Sequence, residues 1–282
     1  GFANCMKITT TVADTSIAAG ENLQIVTRFE GQDVQQLQKG TATAKQVTVS
    51  FYVKGNATAT YTCELQDYDN GRSIQQAFGV TTAWNRIELT FAADTSDPFD
   101  DDNAGSLGLA FWLHGGSTYT GGTFSSNAWK DTVDNTRLSD SQTSIFDATS
   151  RTFFLTGIQM ELGAVATPFE HRSYAEELYL CQRYHQKMIS PPLRGVATSD
   201  TRASYMAMPL SPTMRAAPTA AFAGTLNFTD GTNTGTYSST HASTLAADRV
   251  QFNFSLSAGF THLNPAILLA SGSGTMSLTA EL

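Results

Sequence analysis

FFLTGIQMELGAVATPFEHRSYAEELYLCQRYHQK, residues 153–187, decides the fold. It opens with apolar side chains alternating at period two, the mark of a half-buried strand. It then turns through TPFEHR and enters a segment with helical signals. Ser173 followed by Glu176 forms a capping box. Tyr174, Leu178, Cys181, Tyr184 or His185, and Met188 recur at helical spacing. Arg183, His185 and Lys187 suit the negative end of a helix dipole, and Pro191-Pro192 ends it. The expectation is a helix over 171–190, of about four turns and dependent on packing for its stability.

Upstream, the period-two pattern repeats at 23–29 (LQIVTRF), 46–53 (QVTVSFYV), 58–65 (TATYTCEL), 86–91 (RIELTF), 107–113 (LGLAFWL) and 152–160 (TFFLTGIQM). Each run is rich in β-branched and aromatic residues and bounded by turn formers. Short, evenly spaced strands imply an antiparallel sandwich or jelly roll. Residues 33–39 (DVQQLQK) fit a helical turn. Downstream, strands are expected at 202–210, 226–228, 235–238, 250–256 and 274–282, with Asp230-Gly231 as a hairpin turn. The fold class is all-β: a jelly-roll β-sandwich over 1–170, one linking helix over 171–190, and a smaller β-sandwich over 191–282.

The chain has 282 residues, 15% of them charged, with a formal net charge of −8. That balance argues against a phosphate-backbone partner, so no nucleic acid is expected. No apolar run approaches the ~20 residues of a membrane span, so no membrane insertion is expected. Cys5, Cys63 and Cys181 lack metal-ligand spacing and read as buried free thiols. GFANCMKI reads as strand from its first residues, as though cut from a longer chain, and TAEL as a natural C-terminus.

GxSxG, HExxH and Gly-rich phosphate loops do not occur in the sequence, so no catalytic residue, metal or cofactor is assigned. Glu64, Asp67 and Glu88 are carboxylates of the sort a glycosidase pairs, without a spacing that singles them out. Asp97, Asp100, Asp101 and Asp102 offer hard oxygen ligands for calcium, but not at EF-hand spacing, and a solvated loop is the plainer reading. Glu170 beside His171 suggests a buried ion pair or a helix-docking contact. The long polar stretch 115–150 carries Tyr119, Phe124 and Trp129, next to Trp112. Two roles are open for these rings: stacking on sugar, which makes Trp112, Tyr119 and Trp129 the candidate ligand-binding residues, or packing, with Trp112 in the core and Trp129 pinning the loop.

The opening stretch resembles a segment of bacteriophage and prophage tail-fibre and minor structural proteins, TGxQxExGxxATPFEhRxyxxELxxCQRY. The match runs through Thr156, Gly157, Gln159, Glu161, Gly163, Ala166, Thr167, Pro168, Phe169, Glu170, Arg172, Glu177, Leu178, Cys181, Gln182, Arg183 and Tyr184. Residues 29–55 resemble the same proteins, where this region forms a carbohydrate-binding-module-like jelly roll. Residues 1–25 fit after a first strand that those proteins carry, so an N-terminal strand is expected to be missing. MPLSPTMRAAPT (208–219) resembles the opening of their last domain. The resemblance implies a virion protein of the phage tail or fibre, a homotrimer bound to other tail proteins, facing host-surface carbohydrate. Phe169, Glu170, Arg172, Ser173, Glu176, Leu178, Cys181 and Tyr184 are expected to form a structural joint, with Leu178, Leu180 and Tyr184 on a threefold seam. The expected function is non-catalytic binding of host glycan. A purely structural tail or capsid-decoration subunit is the alternative, and a glycan depolymerase a third.

Overall fold

The computed structural model describes residues 2–257, 259–269 and 274–282, and of His241 only the backbone. Gly1, where the expected first domain begins, and 258 and 270–273, within the expected second, lie outside the described residues. The chain divides into two compact units, Gly1–His171 and Arg172–Leu282.

The first unit contains β1 (Met6–Thr9), β2 (Asn22–Glu30), a helical turn α1 (Gly31–Val34), β3 (Val47–Gly55), β4 (Ala59–Asp67), β5 (Arg72–Val80), β6 (Asn85–Phe91), β7 (Gly105–Gly115), β8 (Lys130–Asp131) and β9 (Thr152–Leu162). They form a four-stranded sheet, β1-β9-β3-β6, and a five-stranded sheet, β2-β7-β4-β5-β8. Every pairing within these sheets is antiparallel. Alternation sends Val49, Phe51 and Val53 of β3 and Tyr61, Cys63 and Leu65 of β4 into one core with Ile74, Leu109 and Phe111. Its rings meet edge to face, Phe51 to Phe111 at 4.8 Å and Tyr61 to Phe153 at 5.4 Å, the arrangement their quadrupoles favour. This is a jelly-roll β-sandwich.

The six expected strands are present, and β5 and the two-residue β8 are additions. The core-side alternation of β5 is broken at Gln76, whose Nε2 donates to the Thr90 carbonyl at 2.8 Å. Only one thiol is buried as expected. Cys63 lies in the core, where burial pushes its pKa well up; Cys5 and Cys181 are exposed and all three are free.

The second unit opens on the helix α2 (Tyr174–Gln182), followed by β10 (His185–Ile189), β11 (Arg194–Ser199), β12 (Arg202–Pro209), β13 (Thr219–Ala223), β14 (Asn227–Thr229), β15 (Thr234–Ala246), β16 (Arg249–Leu256), β17 (Pro265–Leu268) and β18 (Thr275–Thr279). The capping box is present: Ser173 Oγ accepts from the Glu176 amide and Glu176 accepts from the Ser173 amide. The expected extent of the helix is corrected. It spans nine residues rather than 171–190, because residues 185–189 pair antiparallel with β18. HQKMI satisfies either period: as a strand it buries Gln186 and half-buries Met188 while His185, Lys187 and Ile189 stay exposed. Tyr184, expected on the helical seam, lies in the turn beyond the helix.

The expected smaller β domain has two parts. β10, β18 and β13 form a three-stranded sheet, while β11-β12-β16-β15-β14-β17 close into a barrel. Closure leaves that ring without a free strand edge. Phe228, Phe252 and Phe254 lie fully buried inside. The Asp230-Gly231 turn joins β14 to β15 as expected. The Asp230 side chain accepts from the amides of Thr261, Asn233 and Thr232, which hold its carboxyl well below the usual range.

Candidate functional site

The long polar stretch packs against the second face of the five-stranded sheet. At its centre is Glu64, fully buried on β4. Its two carboxylate oxygens accept from Gln75 Nε2 at 2.8 Å, Arg137 Nε at 2.9 Å, Trp112 Nε1 at 2.8 Å and Arg137 Nη2 at 2.6 Å. Burial opposes the charge on Arg137, and the bonds and charge of Glu64 outweigh it, lifting the guanidinium above its ordinary value. The Arg137 carbon lies 4.6 Å from the centre of the Trp112 ring, and Leu138 is buried beside it. Glu64 is thus a structural anchor with every oxygen occupied.

This network decides between the two roles of the expected aromatic residues. Trp112 is 0% exposed and closed to any ligand. Tyr119 is partly buried against it, ring centres 5.1 Å apart, and its hydroxyl accepts from Asn22 Nδ2 at 3.1 Å. Trp129 packs on the main core and donates from Nε1 to the Ala92 carbonyl at 2.8 Å. Trp129→Ala is therefore expected to lower the unfolding free energy by about 2–4 kcal/mol through lost packing and an orphaned carbonyl. A thermal melt checks it; an unchanged melting temperature would restore Trp129 as a surface ligand residue.

The acidic loop is held by Lys39 together with Arg72. The Lys39 ammonium is buried and reaches Asp67 Oδ2 at 2.7 Å, Asp94 Oδ2 at 3.3 Å, the Ser96 carbonyl at 2.8 Å and the Asp97 carbonyl at 2.5 Å. Burial pushes the Asp94 carboxyl up, but Arg72 at 2.9 Å, the Ser96 amide and Lys39 together hold it below the usual range. Among the described residues no three carboxylate, His or Cys side chains converge as a metal site.

The remaining surface is the outer face of the four-stranded sheet. TPFEHR is clipped onto it by the side chains the sequence singles out. Gln159 donates to Thr167 Oγ1 at 3.1 Å and accepts from the Glu170 amide at 2.7 Å. Glu161 accepts from the Thr167 amide and hydroxyl, and Arg86 donates to the Thr167 carbonyl. Glu170 and His171 form no buried ion pair, contrary to one expectation: both are exposed, and the His171 ring lies against Phe169 at 4.9 Å and Phe2 at 5.6 Å. Gly157 adopts φ +58°, and a Cβ there would sit 2.3 Å from the Phe2 ring, so glycine is required for that approach.

Next to this clip is an open cavity of about 270 Å³, walled by Phe2, Asn4, Cys5, Tyr52, Trp84 and Thr156. Thr156 Oγ1 donates to the Asn4 carbonyl at 2.9 Å and holds the segment in place. Phe2 and Tyr52 pack at 5.3 Å. Trp84 is 44% exposed, on a turn fixed by Asn85 Nδ2 donating to Thr81 Oγ1 at 2.6 Å and the Ala83 carbonyl at 3.2 Å. Its ring also meets Phe154 at 6.2 Å, with Lys54 Nζ 5.8 Å from the Trp84 centre. An exposed indole with an amide and a hydroxyl close by is the combination of apolar surface and placed polar groups that small-molecule sites use. Sequence reasoning missed Trp84 because TTAWN reads as a strand boundary; the signal was a large aromatic in a turn, where nothing covers it.

No protein-family model and no curated protein matches the chain. Among solved structures, one described as "CBM4 structure and function" aligns over 57% of this chain and 73% of its own at 13% identity and TM-score 0.29. The N-terminal CBM22-1–CBM22-2 tandem domain of Paenibacillus barcinonensis Xyn10C aligns over 99% of this chain and 93% of its own at 13% identity and TM-score 0.24. The PBSX exported protein XepA aligns over 99% and 87% at 8% identity and TM-score 0.25. Likeness at these TM-scores carries no functional argument.

Proposed function

We propose that the jelly roll binds carbohydrate, without catalysis, on the surface around Trp84, and that the chain is a subunit of a phage tail fibre recognising host glycan. The observation that carries the binding reading is the exposed Trp84 beside a polar-edged cavity, with Trp112 and Trp129 both committed to packing. Amphipathic rings held rigid at a surface supply contact area at small entropic cost. The resemblance of 156–184 to tail-fibre segments supports the virion assignment. In wild type, binding to a glycan array is expected; Trp84→Ala is expected to reduce it roughly tenfold or more while the melting temperature stays nearly unchanged. A silent array for the wild type would overturn the reading.

Assembly as a homotrimer is part of the proposal. None of the nine residues of α2 is buried, and Tyr174, Leu178, Tyr179 and Leu180 are exposed, Tyr174 at 82%. A helix this short is marginal in water without packing, so further copies of the chain, with other tail proteins, are the partners that would cover it. Light scattering is expected to show three chains per particle, and a monomer would contradict it. The same exposed helix favours a second reading, a structural tail subunit that binds no sugar; a silent array with a trimeric mass would select it.

A further inference from the structure

We propose that the sugar held at the Trp84 surface is acidic, its anionic substituent read by Lys54 and Lys7; this rests on the glycan-binding reading above. The two lysines are brought together by register. Lys7 of β1 and Lys54 of β3 both lie opposite Phe154 of β9, on the central strand between them. Cross-strand partners share a face, so the three side chains form a row across three neighbouring strands. Both ammonium groups sit over the same ring, Lys7 Nζ at 5.5 Å and Lys54 Nζ at 5.3 Å from the Phe154 centre, and Lys54 extends to Trp84.

Pairing and position together mark these lysines. Elsewhere in the unit Lys39, Arg72, Arg86, Arg137 and Arg151 each have a carboxylate within 4 Å. Among the described residues Lys7 and Lys54 have none; Arg28, Lys45 and Lys130 also lack one, but Lys7 and Lys54 are the pair that shares a ring. Two like charges over one ring, in a chain of net charge −8, repel each other and are stabilised by an arriving anion. The aromatic surface beside them supplies the apolar contact that a sugar ring uses and a free inorganic ion does not. A nucleic acid is disfavoured by the net charge. A sugar carboxylate and a sugar sulfate share this chemistry, and the test separates them.

The test is titration of the full chain against oligosaccharides matched in pairs: oligogalacturonate or sulfated galacto-oligosaccharide, each against the neutral galacto-oligosaccharide of equal length. The acidic member is expected to bind roughly tenfold more tightly at low salt, with the gap closing near 0.5 M salt as surface charges are screened. Whichever anion gives the wider gap identifies the substituent. Lys7→Gln/Lys54→Gln is expected to abolish the gap while residual binding still depends on Trp84. Equal affinity for acidic and neutral members, both lost in Trp84→Ala, would overturn the charge assignment and leave glycan binding standing. No binding by any member would overturn both. Binding of polyglutamate that needs the lysines but not Trp84 would overturn the proposal in favour of an acidic polypeptide.

Discussion

Arg137→Met is expected to lower the unfolding free energy of the first unit by about 3–5 kcal/mol, because it leaves the buried Glu64 carboxylate without its cation. For a unit of this size that is a drop in melting temperature of order 10 °C. Methionine keeps volume near Trp112, so the loss isolates charge rather than packing. Glu64→Met is expected to cost a similar amount, since it strands the Arg137 guanidinium and the Trp112 Nε1–H together. The double variant Glu64→Met/Arg137→Met leaves no unpaired charge and is expected to cost less than the sum of the two, with a coupling of about 2 kcal/mol or more. Denaturant melts of the four proteins check it. Single losses below 1 kcal/mol, or simple additivity, would mean that the network does not hold 115–150 against the sheet.

The second large effect belongs to Lys39. Lys39→Met removes a cation that joins β4 to the 94–102 loop, leaving Asp67, Asp94 and two carbonyls facing a side chain that donates nothing. A loss of about 3–5 kcal/mol at neutral pH is expected. The pH dependence has a definite sign. Asp94 is held below its ordinary value in the fold by Arg72, the Ser96 amide and Lys39, so the share that Lys39 supplies is present above the unfolded carboxylate pKa, near 4, and is lost as pH falls through the lower folded value. The difference between variant and wild type is therefore widest at neutral pH and narrows below about pH 4. A penalty that grows on acidification would contradict the assignment.

These two clusters also show where the sequence was readable. Alternation located six strands of the jelly roll because their core faces bury a continuous apolar set. It failed at β5, where a core-side glutamine breaks the pattern but is satisfied by the Thr90 carbonyl. It overran α2 because 185–189 fits both periods, and the choice is made by pairing with β18, ninety or so residues away. Lys39 and Trp129 are separated by ninety positions, yet the ammonium lies 5.8 Å from the indole centre; no local pattern announces that contact. The same distance effect hid the meeting of Glu64 with Arg137.

The TPFEHR segment was expected to be structural, and it is hydrogen-bonded to side chains of the four-stranded sheet. Gln159 and Glu161 point outward from β9 and accept the amides of Glu170 and Thr167 that would otherwise be unpaired. Gly157 admits Phe2. The clip thus builds one wall of the Trp84 cavity, and the stretch that decides the fold also frames the surface proposed to bind sugar.

The central claim is that ligand contact occurs at Trp84. Of the three tryptophans, Trp112 is sealed and Trp129 is packed on the core, so collisional quenching of fluorescence by acrylamide reports mainly on Trp84. A glycan that binds is expected to protect the wild type from quenching, with no protection left to gain in Trp84→Phe. Unchanged quenching of the wild type under saturating glycan, or full affinity in Trp84→Ala, would contradict the account.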